Sequence, residues 1–407
     1  MIKNRMGLVA GLVLVFATHI PAQQYDKGVF KTYKNQFWDS IATVLDAKND
    51  LVPERLTFKV DFSNTDAPKT NSEFKVLKHT PPINQGRTST CWDFATTSFL
   101  ESEILRTTGK ELKLSEMFTA YWEFVEKARS YIVTRGKTIF PEGSQADAVT
   151  ELWVKYGIVP ESVYDGKNGK AVYDHEKMYD EMKQYLSYLK TSGDWNPDNG
   201  IKTIRAILDH YMGVPPVEFA YEGKTITPKQ FLNDYIPLKL DDYVMCISVL
   251  NQPFHEYSLY DVPDNWRRSK DYFNLPVEDF MKIINASLEK GVSVTIGGDV
   301  SEPGIDGTAG LAIVPTFDIA ANSINDDARY FRFLNKTTTD DHLVHIIGSV
   351  NRNGVVWYLI KDSGSGVFNS THPGYFYFRS DYVKLKMLLL MAHKDVVSSV
   401  IPQFKNK

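Results

Sequence analysis

Cysteine is nearly absent: Cys91 and Cys246 are the only two in 407 residues. At most one disulfide can form, so the fold rests on its hydrophobic core rather than on covalent staples. The same scarcity leaves no cysteine pair at zinc spacing, and no His-Glu-x-x-His occurs. His342 and His345 make half a metal site at most, with no partnering ligands beside them. No glycine-rich loop opens a helix to cradle phosphate, so neither metal nor cofactor is expected. Positive charge is not in excess. The formal charge is −4, which supplies no basic stripe for nucleic acid. Internal repeats and low-complexity tracts are lacking too. A bilayer-spanning run needs about 20 apolar residues, and the N-terminal run Gly7–Ala17 is shorter. Lys3 and Arg5 precede it and Ile20-Pro21-Ala22 follows, the pattern of a signal peptide (1–22) cleaved before Gln23, with an uncleaved anchor as the alternative. Export, to a periplasmic or external space, is the expectation, with no stable membrane insertion once the signal is gone.

What is present is ordinary globular material, 43% hydrophobic and 24% charged. The length exceeds what one core fills, so two or more lobes are expected. From Cys91, apolar and small residues recur at three- and four-residue steps (Phe94, Ala95, Ser98, Phe99, Ser102, Leu105), predicting a helix to about Thr107 stopped by Gly109. Ser115 caps a second helix, 116–132. A third spans 145–156, and polar helices follow near 175–190, 200–212 and 277–290. The last third reads as strands at 292–296, 342–350, 355–360 and 375–378, with Asn351-Arg-Asn-Gly354 as a hairpin turn. Helices first and strands last predict an α+β protein with a helical lobe and a β lobe. Cys246, in the apolar run 243–250, reads as a small buried hydrophobe.

Cys91 has a different setting. A helix start favours a thiolate through its free amides and dipole, and a neighbouring imidazolium adds to this. The base must be a histidine. His342 and His345 lie three apart on one strand and so face opposite sides. Only one can face Cys91, with His342 the candidate and His345 the fallback. The returning strand of the hairpin delivers Asp362 beside His342, where it can orient the ring. Gln85, on the loop before Cys91, can join the Cys91 amide in donating to an oxyanion, and Trp92 can cover one side.

These segments carry a resemblance. Asn84-Gln85-Gly86-Arg87-Thr88-Ser89-Thr90-Cys91-Trp92 resembles the nucleophile segment of papain-like cysteine peptidases, Leu114-Ser115-Glu116 the start of their next helix, and Glu142-Gly143-Ser144-Gln145 their substrate-binding strip. His342–Gly348 resembles the catalytic-histidine strand, and Asp362-Ser363 stands where that family has Asn-Ser. The long insertion between Tyr164 and Val292, the segment Lys155-Tyr-Gly-Ile-Val-Pro160 and the short stretch before Cys91 are similar to the bleomycin hydrolase/aminopeptidase C branch. The resemblance implies a papain-like fold, with a helical lobe, a β-barrel-like lobe and the active site in the cleft between them. It implies peptide substrates, catalysis by Cys91, His342, Asp362 and Gln85, and substrate contacts from Gly143, Ser144 and Trp92. It also implies aminopeptidase action, a C-terminal arm entering the cleft and a homo-oligomer, a hexamer in that branch. An endopeptidase of the same fold and an inactive papain-fold binding or assembly protein are the alternatives. The second is motivated by departures from the pattern: Ser89 and Ser144 for Gly, Asp362 for Asn, Gly364 for Trp. The expected division is 23–80 packed on the fold, 81–164 helical lobe, 165–290 helical insertion, 291–395 β lobe and 396–407 tail.

Overall fold

The computed structural model describes residues 26–33 and 56–405; the expected signal peptide lies outside them. The helices in chain order are α1 (Cys91–Thr108), α2 (Glu116–Val133), α3 (Asp147–Tyr156), α4 (Glu176–Ser192), α5 (Pro197–Met212), α6 (Pro228–Tyr235), α7 (Val277–Glu289), α8 (Asp326–Leu334), α9 (Ser380–Lys386) and α10 (Lys394–Val400). The strands are β1 (Gly28–Thr32), β2 (Leu56–Val60), β3 (Lys75–Val76), β4 (Phe219–Tyr221), β5 (Lys224–Ile226), β6 (Tyr243–Ile247), β7 (Tyr257–Ser258), β8 (Tyr272–Asn274), β9 (Val294–Gly298), β10 (Ile305–Asp306), β11 (Leu311–Ala312), β12 (His342–Arg352), β13 (Val355–Lys361), β14 (Tyr375–Arg379) and β15 (Met387–His393).

Local chemistry sets the ends of the key elements. Gly109 closes α1 at φ 71°, a left-handed cap that a glycine adopts without strain. Ser115 starts α2 by accepting the Phe118 N–H. Asn353 and Gly354 turn β12 into β13 at φ 52° and 84°, the paired positive values of a tight hairpin.

The main sheet has eleven strands, in the order β10-β11-β14-β13-β12-β9-β15-β6-β8-β7, with β3 added on β12. It is an open sheet, which corrects the expectation of a barrel-like lobe. Neighbouring residues along the strands explain why it does not close. Leu343 and Leu389 pack with α1 and the helical lobe, while Val344 and Leu390 pack with α7, α9 and α10 on the other face. Helices bury both faces, so closure is not needed to hide them.

The division at 290 also moves. Helices α4, α5 and α6 form the inserted helical part, but β6, β7, β8 and α7, all before residue 290, belong to the sheet layer. The tail to Lys405 differs from the arm that the resemblance implied. Val397, Ile401 and Phe404 pack into the α7 face, and the Phe404 ring sits 5.1 Å from that of Phe273 on β8, at the far end of the sheet from β12.

Candidate active site

Helix α1 begins at Cys91 because Thr90 leaves helical geometry there, its carbonyl accepting the Asp93 and Phe94 N–H groups at 2.9 and 3.1 Å. The Thr90 hydroxyl is held by Thr88 at 2.6 Å and does not cap the first turn. The positive end of the helix is therefore presented at the Cys91 sulfur. Asp93 would oppose it with negative charge, but it is wholly buried; that burial, with Glu116 nearby, pushes its pKa well above the carboxylate range and favours the neutral form.

His342 is the first residue of β12 and faces Cys91. Its Nε2 lies 2.7 Å from Asp362 Oδ1, which leaves Nδ1 for the sulfur. In the β12–β13 register His345 pairs with Lys361, so Asp362 stands one residue past the strand and reaches back to His342. Burial works against the imidazolium, but the Asp362 carboxylate and the neighbouring Cys91 sulfur outweigh it. Together they hold the His342 pKa well above its ordinary value. The missing Trp does not leave this pair wet: the two side chains are 11% and 5% exposed. The Gly364 N–H donates to the same Asp362 oxygen at 2.8 Å.

His345 goes the other way. It is fully buried under α1, bonded through Nδ1 to Ser98 at 2.8 Å, and burial, with Lys361 and His79 adding to it, drives its pKa well below normal. It is a neutral core histidine.

Gln85 is fastened to the Asp362 loop. Its N–H donates to the Ser363 carbonyl at 2.9 Å, and its Oε1 accepts the Ser363 hydroxyl at 2.7 Å. Its Nε2 donates one hydrogen to the Thr88 carbonyl at 2.6 Å, leaving a second for an oxyanion.

Two expected substrate contacts are corrected. Trp92 is 1% exposed within the helical core and covers no cleft; at a helix start, the residue after an outward-facing Cys91 turns inward. Ser144 is buried with its hydroxyl on Glu123 Oε1 at 2.6 Å, so it braces α2 instead of facing a ligand. Gly143 does lie in the strip. Its carbonyl accepts Lys127 Nζ at 2.6 Å, as that of Glu142 does at 3.1 Å. Burial pushes the Lys127 ammonium down to about 8 against the pull of Glu123 and Asp264.

Sequence reasoning did not single out Lys127, Asp264 or Asp340. Asp264 packs on Gly143, and Asp340 accepts from Gln145. The position of Asp340, two before His342, was the one readable hint; nothing local marks the other two.

A cysteine at a helix tip, an imidazole on a strand across from it and a carboxylate behind the imidazole have the arrangement that a nucleophile–base–orienter relay requires. Residues 49–327 match the Peptidase C1-like family. The chain belongs to that family. The match contains Cys91 and the Glu142–Gln145 strip and ends before the His342 strand. Among curated proteins, aminopeptidase C of Streptococcus thermophilus is 27% identical over 281 residues, covering 59% of this chain and 63% of that protein. Aminopeptidase C of Lactococcus lactis subsp. cremoris is 24% identical over 288 residues, with 60% and 64% covered. The chain thus spans less than two thirds of these relatives' lengths. PepW of Lactobacillus rhamnosis HN001 superposes with a TM-score of 0.64 at 20% identity, over 83% of this chain and 85% of that one. That likeness is one of fold, and the fold is papain-like.

Proposed function

We propose that this protein is a cysteine-type peptidase working as an aminopeptidase through a thioester. The observation that carries the reading is the His342 ring, held by Asp362 at 2.7 Å and coupled electrostatically to Cys91. The Cys91 thiolate attacks the carbonyl carbon, forming the C–S bond and an oxyanion that the Cys91 N–H and the Gln85 amide stabilise. His342 gives its proton to the departing amine as the C–N bond breaks. Water then loses a proton to His342 and attacks the thioester, releasing the acid and restoring the thiolate. The names of the matched relatives support the aminopeptidase form.

The deciding experiment is hydrolysis of aminoacyl coumarin amides by wild type and Cys91→Ala, with labelling of Cys91 by a cysteine-directed epoxide. Turnover by the variant at the wild-type rate discards the mechanism. A folded wild type that neither turns over nor takes the label leaves the inactive binding protein as the better reading. Export is a separate part of the proposal, supported by the 1–22 segment, and sequencing of the mature N-terminus tests it. Self-assembly is another, tested by light scattering. Among the described residues no helix is long and apolar enough to cross a membrane.

A further inference from the structure

The strip 142–145 is tied to both halves of the relay. Glu142 Oε1 accepts the N–H of Ser89, two residues before Cys91, at 3.3 Å. Gln145 Nε2 donates to Asp340, two residues before His342. Between these ties lies Gly143, and Asp264 from the β7–β8 loop is packed onto it. A Cβ added at Gly143 would meet Asp264 Oδ2 at 2.2 Å and Oδ1 at 2.9 Å.

The Asp264 carboxylate makes no hydrogen bond or ion pair among the described residues, and Oδ1 of Asp340 is buried with no partner at hydrogen-bonding distance, the Tyr260 hydroxyl lying nearby. The nearby cations are spent on the inner side. Lys127 serves the Glu142 and Gly143 carbonyls, and Arg267 serves Glu123 and Glu151. Burial, with Glu123 and Glu142 nearby and Lys127 opposing, pushes the Asp264 pKa up to about 6. Burial and Asp264 push Asp340 to about 8. At neutral pH the pair thus holds one negative charge and one proton, beside a strip anchored next to both Cys91 and His342. A small cation with several N–H donors would satisfy both groups.

We propose that Asp264, backed by Asp340, receives the α-ammonium group of an unblocked peptide and thereby fixes cleavage after its first residue. The α-ammonium is two bonds from the carbonyl carbon that the sulfur attacks, so only a carboxylate beside the relay can hold it. A side-chain acid measures the substrate. This rests on the peptidase reading and deepens it.

Binding separates the two claims. In a Cys91→Ala background, calorimetry should show a free-amine dipeptide amide binding about tenfold or more tighter than its Nα-acetyl form, and Asp264→Asn should abolish that difference. In the active protein, D264N should lower kcat/KM on aminoacyl coumarin amides by about 30-fold and shift the ratio of rates toward acetylated substrates. D264N that keeps the full preference for free amines in both assays overturns the proposal. A wild type with no turnover strikes the peptidase reading alone, because the binding contrast still decides the role of Asp264. Should D264N fail to fold, the Cys91→Ala protein decides by pH. Free-amine affinity must fall as pH drops through about 6 while acetylated affinity does not, and a pH-invariant contrast overturns the proposal.

Discussion

On one face of the sheet, α7, α9 and α10 bury Val344, Leu390, Phe280 and Phe378 against one another. On the other, α1 carries Asp93, Glu101 and Glu103 into the interior, each at most 1% exposed. Asp93 is held in its neutral form, and the charges that remain are paired. Glu103 pairs with Arg106 at 2.7 Å. Lys113 bridges Glu101 at 2.9 Å and also binds Glu116, and Thr80 links Lys361 to Glu101 through hydrogen bonds of 2.8 and 2.7 Å. Paired buried charge stabilises little beyond an apolar core, but it demands one geometry. Here it connects the helix that begins with Cys91 to the strand that ends one residue before Asp362. One face supplies cohesion; the other also supplies alignment.

Breaking the alignment at its chemical end has the largest effect. Cys91→Ala should lower kcat by at least about 10⁴-fold with its folding intact by circular dichroism. Residual turnover within tenfold of wild type would remove the sulfur from the mechanism. Next comes a matched pair across the sheet. Lys361→Met should cost about 1–3 kcal/mol in urea denaturation by taking the donor from the buried Thr80–Glu101 link, and should also lower kcat of the folded fraction. Leu390→Ala, on the apolar face, should cost about 2–5 kcal/mol through its cavity while leaving kcat of the folded fraction alone. Equal kcat losses in the two variants would erase the distinction between the faces.

Smaller in energy, but sharper in form, is Asp362→Asn. Opposing burial, the Asp362 charge and the Cys91 sulfur hold the His342 pKa above normal, so the imidazolium partner of the thiolate persists as pH rises. Removing the charge should bring the alkaline limb of kcat/KM to lower pH, with a fall of about 10- to 100-fold at neutral pH. An unmoved alkaline limb would deny Asp362 its electrostatic part. The smallest effect belongs to His345→Gln, which should cost about 1 kcal/mol by disturbing the Ser98 bond without moving the pH profile.

Elements with local signals were legible. The Gly109 cap, Ser115 and the Asn353-Gly354 turn each follow from one residue's backbone or side-chain preference, and they bound the helices and the hairpin around the relay. The opposite facing of His342 and His345 follows from strand period alone. What stayed hidden depends on tertiary approach. β6 pairs with β15 and, in parallel, with β8, so the run 243–274 joins a sheet whose other members lie far away in sequence. Trp92 and Ser144 look like cleft residues in a motif, yet each points inward to neighbours that only the fold supplies. Asp264 reaches Gly143 across 120 positions of chain, and no period or spacing announces such a meeting.

The burial of Cys246 has a practical corollary. It is wholly enclosed in β6, and burial raises its pKa far above that of a free thiol, so alkylating agents should bypass it in the native protein. Reagent uptake under native conditions would then report on Cys91, and a second equivalent would appear on denaturation. The stoichiometry, one against two, turns the chain into its own gauge of how many molecules in a preparation are properly assembled.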